Sequence, residues 1–224
     1  MSRPVTVAVI CEGSTEQTFI REVLAPTLAT KNLFLEAQLI GSPGHKGGHV
    51  VFQRALTDIE QRLKQRRDIY VSTMFDLYRI DTAWPGVCDI RKGMPAARKA
   101  ELIESRTLEA VEAKLPNAGV AKRFIPFFCL HEFEALLFSS PTELAGQLQV
   151  EEDLIANILR ECGTPEEIND HPQTAPSKRI ESLYPGYRKI VMGRAIAQKI
   201  GVRTIRKHCP HFDSWINRLE ALAQ

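Results

Sequence analysis

The chain has 224 residues, of which 44% are hydrophobic and 25% charged, and its formal net charge is +2. These values are typical of a globular protein with a buried core, and they exclude a wholly disordered chain, a fibre or a collagen. No apolar run approaches the ~20 residues of a membrane span, and the N-terminus lacks a signal-peptide cleavage site. Five scattered cysteines without a CxxC pair favour reduced thiols, so we expect a cytoplasmic protein.

The first half of the chain alternates strand-like and helix-like segments. Val5 to Ile10 is a β-branched and apolar run typical of a buried parallel strand, and helical spacing follows from Thr15 to Ala29. Further strands are predicted at 34–40, 68–75 and 123–130, and further helices at 49–67 and 96–114. A glycine-rich loop at 41–48 and an irregular stretch at 77–94 separate some of these segments. Pro126 places the last strand at an edge or a bulge. This alternation predicts an α/β fold with a Rossmann-like core, in which helices flank a mainly parallel sheet.

The second half of the chain has a helical pattern throughout. Helices are predicted at 141–148, 151–162, 165–169, 177–182, 186–200, 201–208 and 211–222. We therefore expect an α/β core over residues 1–140 and a helical C-terminal portion over 141–224, packed together as one compact unit.

Charge is divided unevenly within the second half. Residues 131–170 contain ten acidic residues and one basic residue, a net charge of −9, whereas 176–208 contain nine basic residues and one acidic residue, a net charge of +8. One interpretation is two solvated surfaces that partly neutralise each other. The other is an acidic, metal-binding face beside a cationic track for phosphates.

Carboxylates follow three of the predicted strands. Glu12 follows the first strand, Asp76 the third, and Glu132 with Glu134 the last. Ligands of open α/β sheets bind at the carboxyl ends of the strands, and converging carboxylates repel one another unless a hard cation such as Mg²⁺ neutralises them. Glu132 is the preferred ligand of its pair, because on a helix the two side chains diverge and Glu134 could then be structural. The alternative is that these carboxylates cap helices or pair with arginines.

The segment EGSTE at residues 12–16 resembles the E-G-x-[ST]-[ED] signature of the TOPRIM fold, which is found in topoisomerases, primases and the overcoming-lysogenisation-defect (OLD) nucleases. The resemblance implies that Glu12 is a metal ligand or general base and that Glu16 is a further ligand. The usual second signature is D-x-D, but residues 76–78 read DLY, so only Asp76 matches and Asp81 could substitute for the second aspartate. The implied ligands of Mg²⁺ or Mn²⁺ are Glu12, Glu16, Asp76, Asp81 and Glu132.

Four further blocks, at 73–85, 131–138, 165–180 and 205–215, are similar to a prokaryotic TOPRIM-like family of unknown function. Members of that family are related to OLD-type nucleases and are often encoded beside an ABC- or SMC-type ATPase in defence or mobile-element loci. The resemblance implies two alternatives: a metal-dependent nuclease acting on DNA or RNA, or a non-catalytic subunit that regulates or docks on such an ATPase. Association into a homo-oligomer is open in both.

Basic residues of the C-terminal half are candidates for phosphate contacts. Lys178 follows a proline-containing turn and could stabilise a developing oxyanion, so we group it with Glu12, Asp76 and Glu132 as a catalytic candidate. The alternative for Lys178 is an exposed lysine or a salt bridge. Candidate nucleic-acid contacts are Lys178, Arg179, Arg203 and Arg206.

Histidine, cysteine and aromatic residues elsewhere in the chain are interpreted mainly as parts of the core. His208, Cys209 and His211 lack the nearby second pair that a structural zinc site needs, so core packing or a helix boundary at Pro210 is predicted. His131 could be a base, a ligand or a histidine at the edge of the core. The aromatic residues predicted to build the core are Phe124, Phe127, Phe128, Phe133 and Phe138.

Overall fold

The computed structural model describes residues 3–41, 50–78, 80–168 and 171–224. Within them lies a parallel sheet made of β1 (Val5–Cys11), β2 (Leu33–Leu39), β3 (Tyr70–Asp76), β4 (Phe124–Ile125) and β5 (Phe128–Cys129). The strand order is β2-β1-β3-β4, and β5 also pairs with β3. The predicted α/β class with a mainly parallel sheet is confirmed. Of the predicted loop at 41–48, all but the first residue falls outside the described residues.

Helices cover the sheet and form the C-terminal portion, as predicted. Those of the first half are α1 (Ser14–Phe19), α2 (Ala25–Ala29), α3 (Phe52–Gln65), α4 (Ala96–Lys114) and α5 (Val120–Arg123). Those of the second half are α6 (Pro141–Leu148), α7 (Glu152–Cys162), α8 (Pro176–Leu183), α9 (Lys189–Ile200), α10 (Val202–His208) and α11 (Pro210–Glu220). Short 3₁₀ turns cover Val87–Asp89, Phe133–Ser139, Pro165–Glu167 and Ala221–Ala223. Within the described residues, no helix combines the length and apolar character needed to cross a bilayer.

The sequence predicted one continuous helix over 15–29, but a π-helical turn interrupts it at Ile20–Leu24. There the amide of Ala25 donates to the carbonyl of Ile20, five residues back. Pro26 follows at the start of α2 and has no amide proton to continue the regular ladder. The helix therefore widens by one residue immediately before the proline.

A shared hydrophobic core joins the two halves of the chain. The larger cluster combines Val7 and Phe19 of the N-terminal part with Ile196, Phe212 and Trp215 of the C-terminal helices. A second cluster lies where α3 and α4 pack on the sheet. The predicted core aromatics are all buried, with at most 2% of each residue exposed.

The edge of the sheet is broken at Pro126, between β4 and β5, as predicted from that proline. Side chains of β3 replace the missing ladder. Thr73 Oγ1 accepts a hydrogen bond from the Phe127 amide at 2.9 Å and donates to the Phe127 carbonyl at 3.0 Å. Ser72 Oγ donates to the Ile125 carbonyl at 2.6 Å and accepts from Trp215 Nε1 at 2.9 Å. The bulge is thus bonded both to the sheet and to α11.

The outer edge of β5 is closed by side chains rather than by another strand. Glu104 Oε1 accepts from the Phe128 amide at 3.1 Å, and His211 Nε2 lies 3.2 Å from the Phe128 carbonyl and 3.1 Å from Glu104 Oε1. Cys209 is buried, and α11 begins at Pro210. The structural interpretation of this histidine and cysteine is therefore confirmed, and an exposed edge that could pair with other chains is covered.

We expect Thr73→Val to lower the free energy of unfolding by about 1–3 kcal/mol, because it leaves the buried Phe127 amide without its partner and the Phe127 carbonyl with only the longer bond from the Phe75 amide. Urea denaturation measures the change. Thr57→Val on the exposed face of α3 removes a hydroxyl that, among the described residues, bonds to its own helix, and should change stability by less than about 0.5 kcal/mol. Equal effects of the two substitutions would contradict the role assigned to Thr73.

Candidate functional site

Carboxylates meet at the carboxyl edge of the two central strands. Glu12 follows β1 and Asp76 ends β3, and the Asp76 amide donates to Glu12 Oε2 at 3.1 Å. The amide of Phe133, in the segment after β5, donates to Asp76 Oδ1 at 3.0 Å. The predicted convergence of strand ends is therefore present, and backbone amides hold it together.

Glu16 joins this edge from the first turn of α1. Its side chain folds back so that Oε2 accepts from the Gly13 amide at 2.8 Å, and the residue is 6% exposed. A Cβ atom on Gly13 would lie 3.1 Å from Glu16 Oε2, so the missing side chain of glycine permits this close approach. The EGSTE segment thus places two carboxylates, Glu12 and Glu16, at the same strand end.

Glu132 and Glu134 enter the site from the other side. His131 has a positive φ of 66°, and its carbonyl accepts from the Tyr78 amide at 2.8 Å, which turns the chain sharply after β5. We expected only Glu132 to face the site, but Lys189 Nζ lies 3.7 Å from Glu132 Oε1 and 3.3 Å from Glu134 Oε1. The 3₁₀ turn that begins at Phe133 brings both carboxylates to one lysine.

Glu132 is also bound by the start of α8. Ser177 donates to it twice, from its amide at 2.9 Å and from its hydroxyl at 3.0 Å. Glu134 differs, because its buried Oε1 has the 3.3 Å ion pair with Lys189 Nζ but no aligned hydrogen bond within the described residues. A buried acceptor of this kind is costly unless a further partner reaches it.

We call Glu12, Glu16, Asp76, Glu132 and Glu134 the carboxylate cluster. The pKa of Asp76 lies well above its usual value, because of burial and then the charges of the other four carboxylates. Burial and the Glu12 charge also raise the pKa of Glu16. Burial raises the pKa of Glu134 to about 7, although Lys189 opposes the shift. The cluster therefore carries mutual repulsion that a bound cation would relieve.

The chemistry of the cluster suits a hard divalent cation, because every donor is a carboxylate oxygen. Asp76 and Glu16 each use one oxygen for a backbone amide and retain a second. Across the described ranges, however, no three His, Cys, Asp or Glu side chains already stand close enough together to hold an ion. A cation here would complete its shell with water and ligand oxygens, as Mg²⁺ commonly does.

Lys178 does not reach the cluster in this structure. Its Nζ pairs with Glu181 Oε2 at 2.6 Å on the exposed face of α8. Successive helical residues point about 100° apart, so the contact of Ser177 with Glu132 turns Lys178 away. Lys189 is the lysine that meets the carboxylates instead. The sequence places Lys189 in the basic segment 176–208, but no motif there distinguishes it from the other basic residues.

Two of the arginines predicted to contact nucleic acid are used inside the fold. Arg179 donates from Nε to the Thr174 carbonyl at 3.0 Å, and its side chain is only 15% exposed. The Arg206 guanidinium bonds to Asp213, Glu220 and Asn217. These arginines hold turns and helices together, because all three nitrogens of each guanidinium contact groups of the fold.

Arg203 and Asp81 complete the predicted set. Arg203 is exposed on α10, where it is accessible to a ligand. Asp81 Oδ1 accepts from the Ala83 amide at 2.7 Å and so caps the turn after β3. The contacts described for Asp81 assign it a role in a turn, and they do not join it to the carboxylate cluster.

Comparison with known proteins identifies a family without assigning an activity. A family described as a domain of unknown function (DUF4276) matches residues 11–220, so the chain belongs to that family. Neither a curated protein nor a solved structure matches the chain.

We expect the metal-free protein to lose stability as the pH rises from about 4.5 to about 7. The pKa of Glu134 is raised from 4.5 in the unfolded chain to about 7 in the fold. The protonated side chain therefore contributes its full share of stability below pH 4.5, and about 3 kcal/mol of the free energy of unfolding is lost as the pH rises to about 7. Glu134→Gln should remove that part of the loss, as measured by urea denaturation in EDTA across this pH range.

The matched control for this measurement is Glu112→Gln, which removes an exposed carboxylate from α4. Its stability should follow the wild-type pH profile. A Glu134→Gln profile that coincides with wild type would contradict the burial of a repelled carboxylate at this position.

Proposed function

We propose that this member of the DUF4276 family is a divalent-metal-dependent nuclease that hydrolyses phosphodiester bonds in DNA or RNA. The observation that carries the proposal is the carboxylate cluster at the carboxyl end of the central strands. The similarity of residues 12–16 to the TOPRIM signature supports it, and a relationship to OLD-type nucleases is part of the proposal.

Glu12, Glu16 and Asp76 are the residues that would hold Mg²⁺ or Mn²⁺. When bound, the metal supplies charge neutralisation at the phosphoryl group and an activated water. The cluster offers oxygen donors from two strand ends and from α1, positioned by the amides of Gly13, Asp76 and Phe133. These amides orient the donors before any ligand arrives, which lowers the reorganisation needed for binding.

Glu132 and Glu134 have a different role in this proposal. Ser177 fixes Glu132, and both carboxylates hold the Lys189 ammonium beside the cluster. The Lys189 side chain is 42% exposed, so its ammonium faces solvent as well as protein. It is therefore the described lysine best placed to contact an incoming phosphate, in the role that the sequence suggested for Lys178.

The first experiment is calorimetric titration of Mn²⁺ into wild type, Glu12→Gln and Asp76→Asn at low salt. Each substitution removes one charged donor while preserving side-chain shape, so we expect affinity to fall at least about tenfold. The same variants should lose cleavage of DNA or RNA in the presence of Mg²⁺ or Mn²⁺.

Two further variants sharpen this experiment. Asp153→Asn removes an exposed carboxylate from α7 and should bind Mn²⁺ like wild type. Asp81→Asn tests whether Asp81 is a metal ligand, as the D-x-D signature suggests, or only caps its turn. We expect the affinity for Mn²⁺ to be unchanged in this variant. Full cleavage activity in a correctly folded Asp76→Asn variant would overturn the site.

The second candidate is a non-catalytic subunit that docks on an ABC- or SMC-type ATPase. Glu132 is already bound by Ser177 and Lys189, and the described residues contain no preformed three-ligand metal group, which favours this alternative. Wild-type protein that binds no Mn²⁺ and cleaves neither DNA nor RNA would support it over the nuclease.

A further inference from the structure

A cavity lies at the opposite end of the sheet from the carboxylate cluster. It has a volume of about 600 Å³ and is bordered by the ends of α3 and α4 and by the turn before α5; its polar lining includes Lys64, Arg67, Lys114, Asn117 and Arg123. Arg123 bonds to the carbonyl of Ile69, next to the first residue of β3. Since β3 has seven residues at ~3.3 Å each, the cavity is about 20 Å from Asp76.

Cations line this cavity without a matching carboxylate. Four basic residues and no acidic residue contribute to its lining. Lys64 is paired with Glu60, which lies outside the lining. Arg67 and Lys114 are both exposed, and neither forms an ion pair with any described residue. The free positive charge is therefore concentrated at the mouth of the cavity.

Arg123 supplies a fixed positive charge at the base of the cavity. Its guanidinium donates to the carbonyls of Ile69, Leu63, Ala118 and Arg66. All four acceptors are neutral carbonyls that hold the guanidinium in place, and the Asp68 carboxylate, outside the lining, also interacts with its charge. The same bonds tie α3, the β3 entry and the turn after α4 together, which makes this wall of the cavity rigid.

The negative ends of two helix dipoles offset only part of this positive charge. Both α3 and α4 end at the cavity, and each helix C-terminus contributes about half a negative charge. Glu60 pairs with Lys64 and Asp68 interacts with Arg123, so the positive charge that remains is that of Arg67 and Lys114, which the helix ends offset in part. Two such cations at the mouth of one cavity favour the binding of an anion.

We propose that this cavity binds the phosphate groups of a nucleotide or of a nucleic-acid strand. Two flexible cations at the mouth and a rigid guanidinium behind them suit a multiply charged phosphate anion. The volume lies within the range of small-molecule sites. The proposal is independent of the nuclease hypothesis, because the cavity lining contains no carboxylate and lies at the opposite end of the strands.

The test is calorimetric titration of inorganic tripolyphosphate in EDTA at low salt, which excludes binding through a metal at the cluster. The double substitution Arg67→Glu/Lys114→Glu reverses both exposed charges and should weaken binding at least about tenfold. The control Arg91→Glu/Lys92→Glu makes the same charge change on exposed residues before the N-terminus of α4, away from the cavity, and should weaken it by less than about twofold.

Two further ligands distinguish the source of the phosphate. Tighter binding of ATP than of a ten-nucleotide DNA single strand identifies a nucleotide site. Tighter binding of the strand, with a steep dependence on salt, identifies a nucleic-acid contact. Thermal melting checks that both double variants fold, and Arg67→Gln/Lys114→Gln provides a milder version of the reversal.

The proposal is overturned if wild type binds none of the three phosphate ligands. It is also overturned if the Arg67 and Lys114 variants bind like wild type, or if the Arg91 and Lys92 control weakens binding equally. Metal binding at the carboxylate cluster is absent from all of these readouts, so failure here leaves the nuclease hypothesis unaffected.

Discussion

Repulsion among buried carboxylates is the physical constraint around which this end of the molecule is built. Five acidic side chains lie at one edge of the sheet, and burial together with their mutual charge raises the pKa of Asp76, Glu16 and Glu134. A fold tolerates such a cluster only when amides, hydroxyls and cations compensate it. The neighbouring backbone supplies that compensation in part, through the Gly13, Asp76 and Phe133 amides.

The C-terminal helices supply the rest of the compensation. Ser177 at the start of α8 binds Glu132, and Lys189 at the start of α9 pairs with Glu132 and Glu134. These helices can reach the site because they share the large hydrophobic cluster with β1 and α1. Gly193 adds to the close fit, since a Cβ atom there would lie 3.1 Å from the Tyr187 hydroxyl and 3.3 Å from Phe133. The core and the polar site therefore depend on the same packing.

The two ends of the sheet have opposite electrostatic character. Carboxylates gather where the parallel strands end, whereas Arg123 and its basic neighbours surround the entry to β3. A parallel sheet separates the two regions by the length of its strands, so they do not neutralise each other directly. The distribution of charge along the sequence does not reveal this division, because Lys64, Arg67 and Lys114 lie outside the basic segment 176–208.

The sequence alone was sufficient for the fold class, the strand ends that carry Glu12, Asp76 and Glu132, and the bulge at Pro126. These features depend on local periodicity, on the missing amide proton of proline and on the common direction of parallel strands. The partners of the carboxylates depended on tertiary structure. Ser177 bonds to Glu132, and Lys189 pairs with Glu132 and Glu134, through packing between residues 45 or more positions apart. The rotation between successive helical residues turns Lys178 away from the site that Ser177 contacts. No local pattern encodes such contacts, because they depend on how complete helices settle on the core.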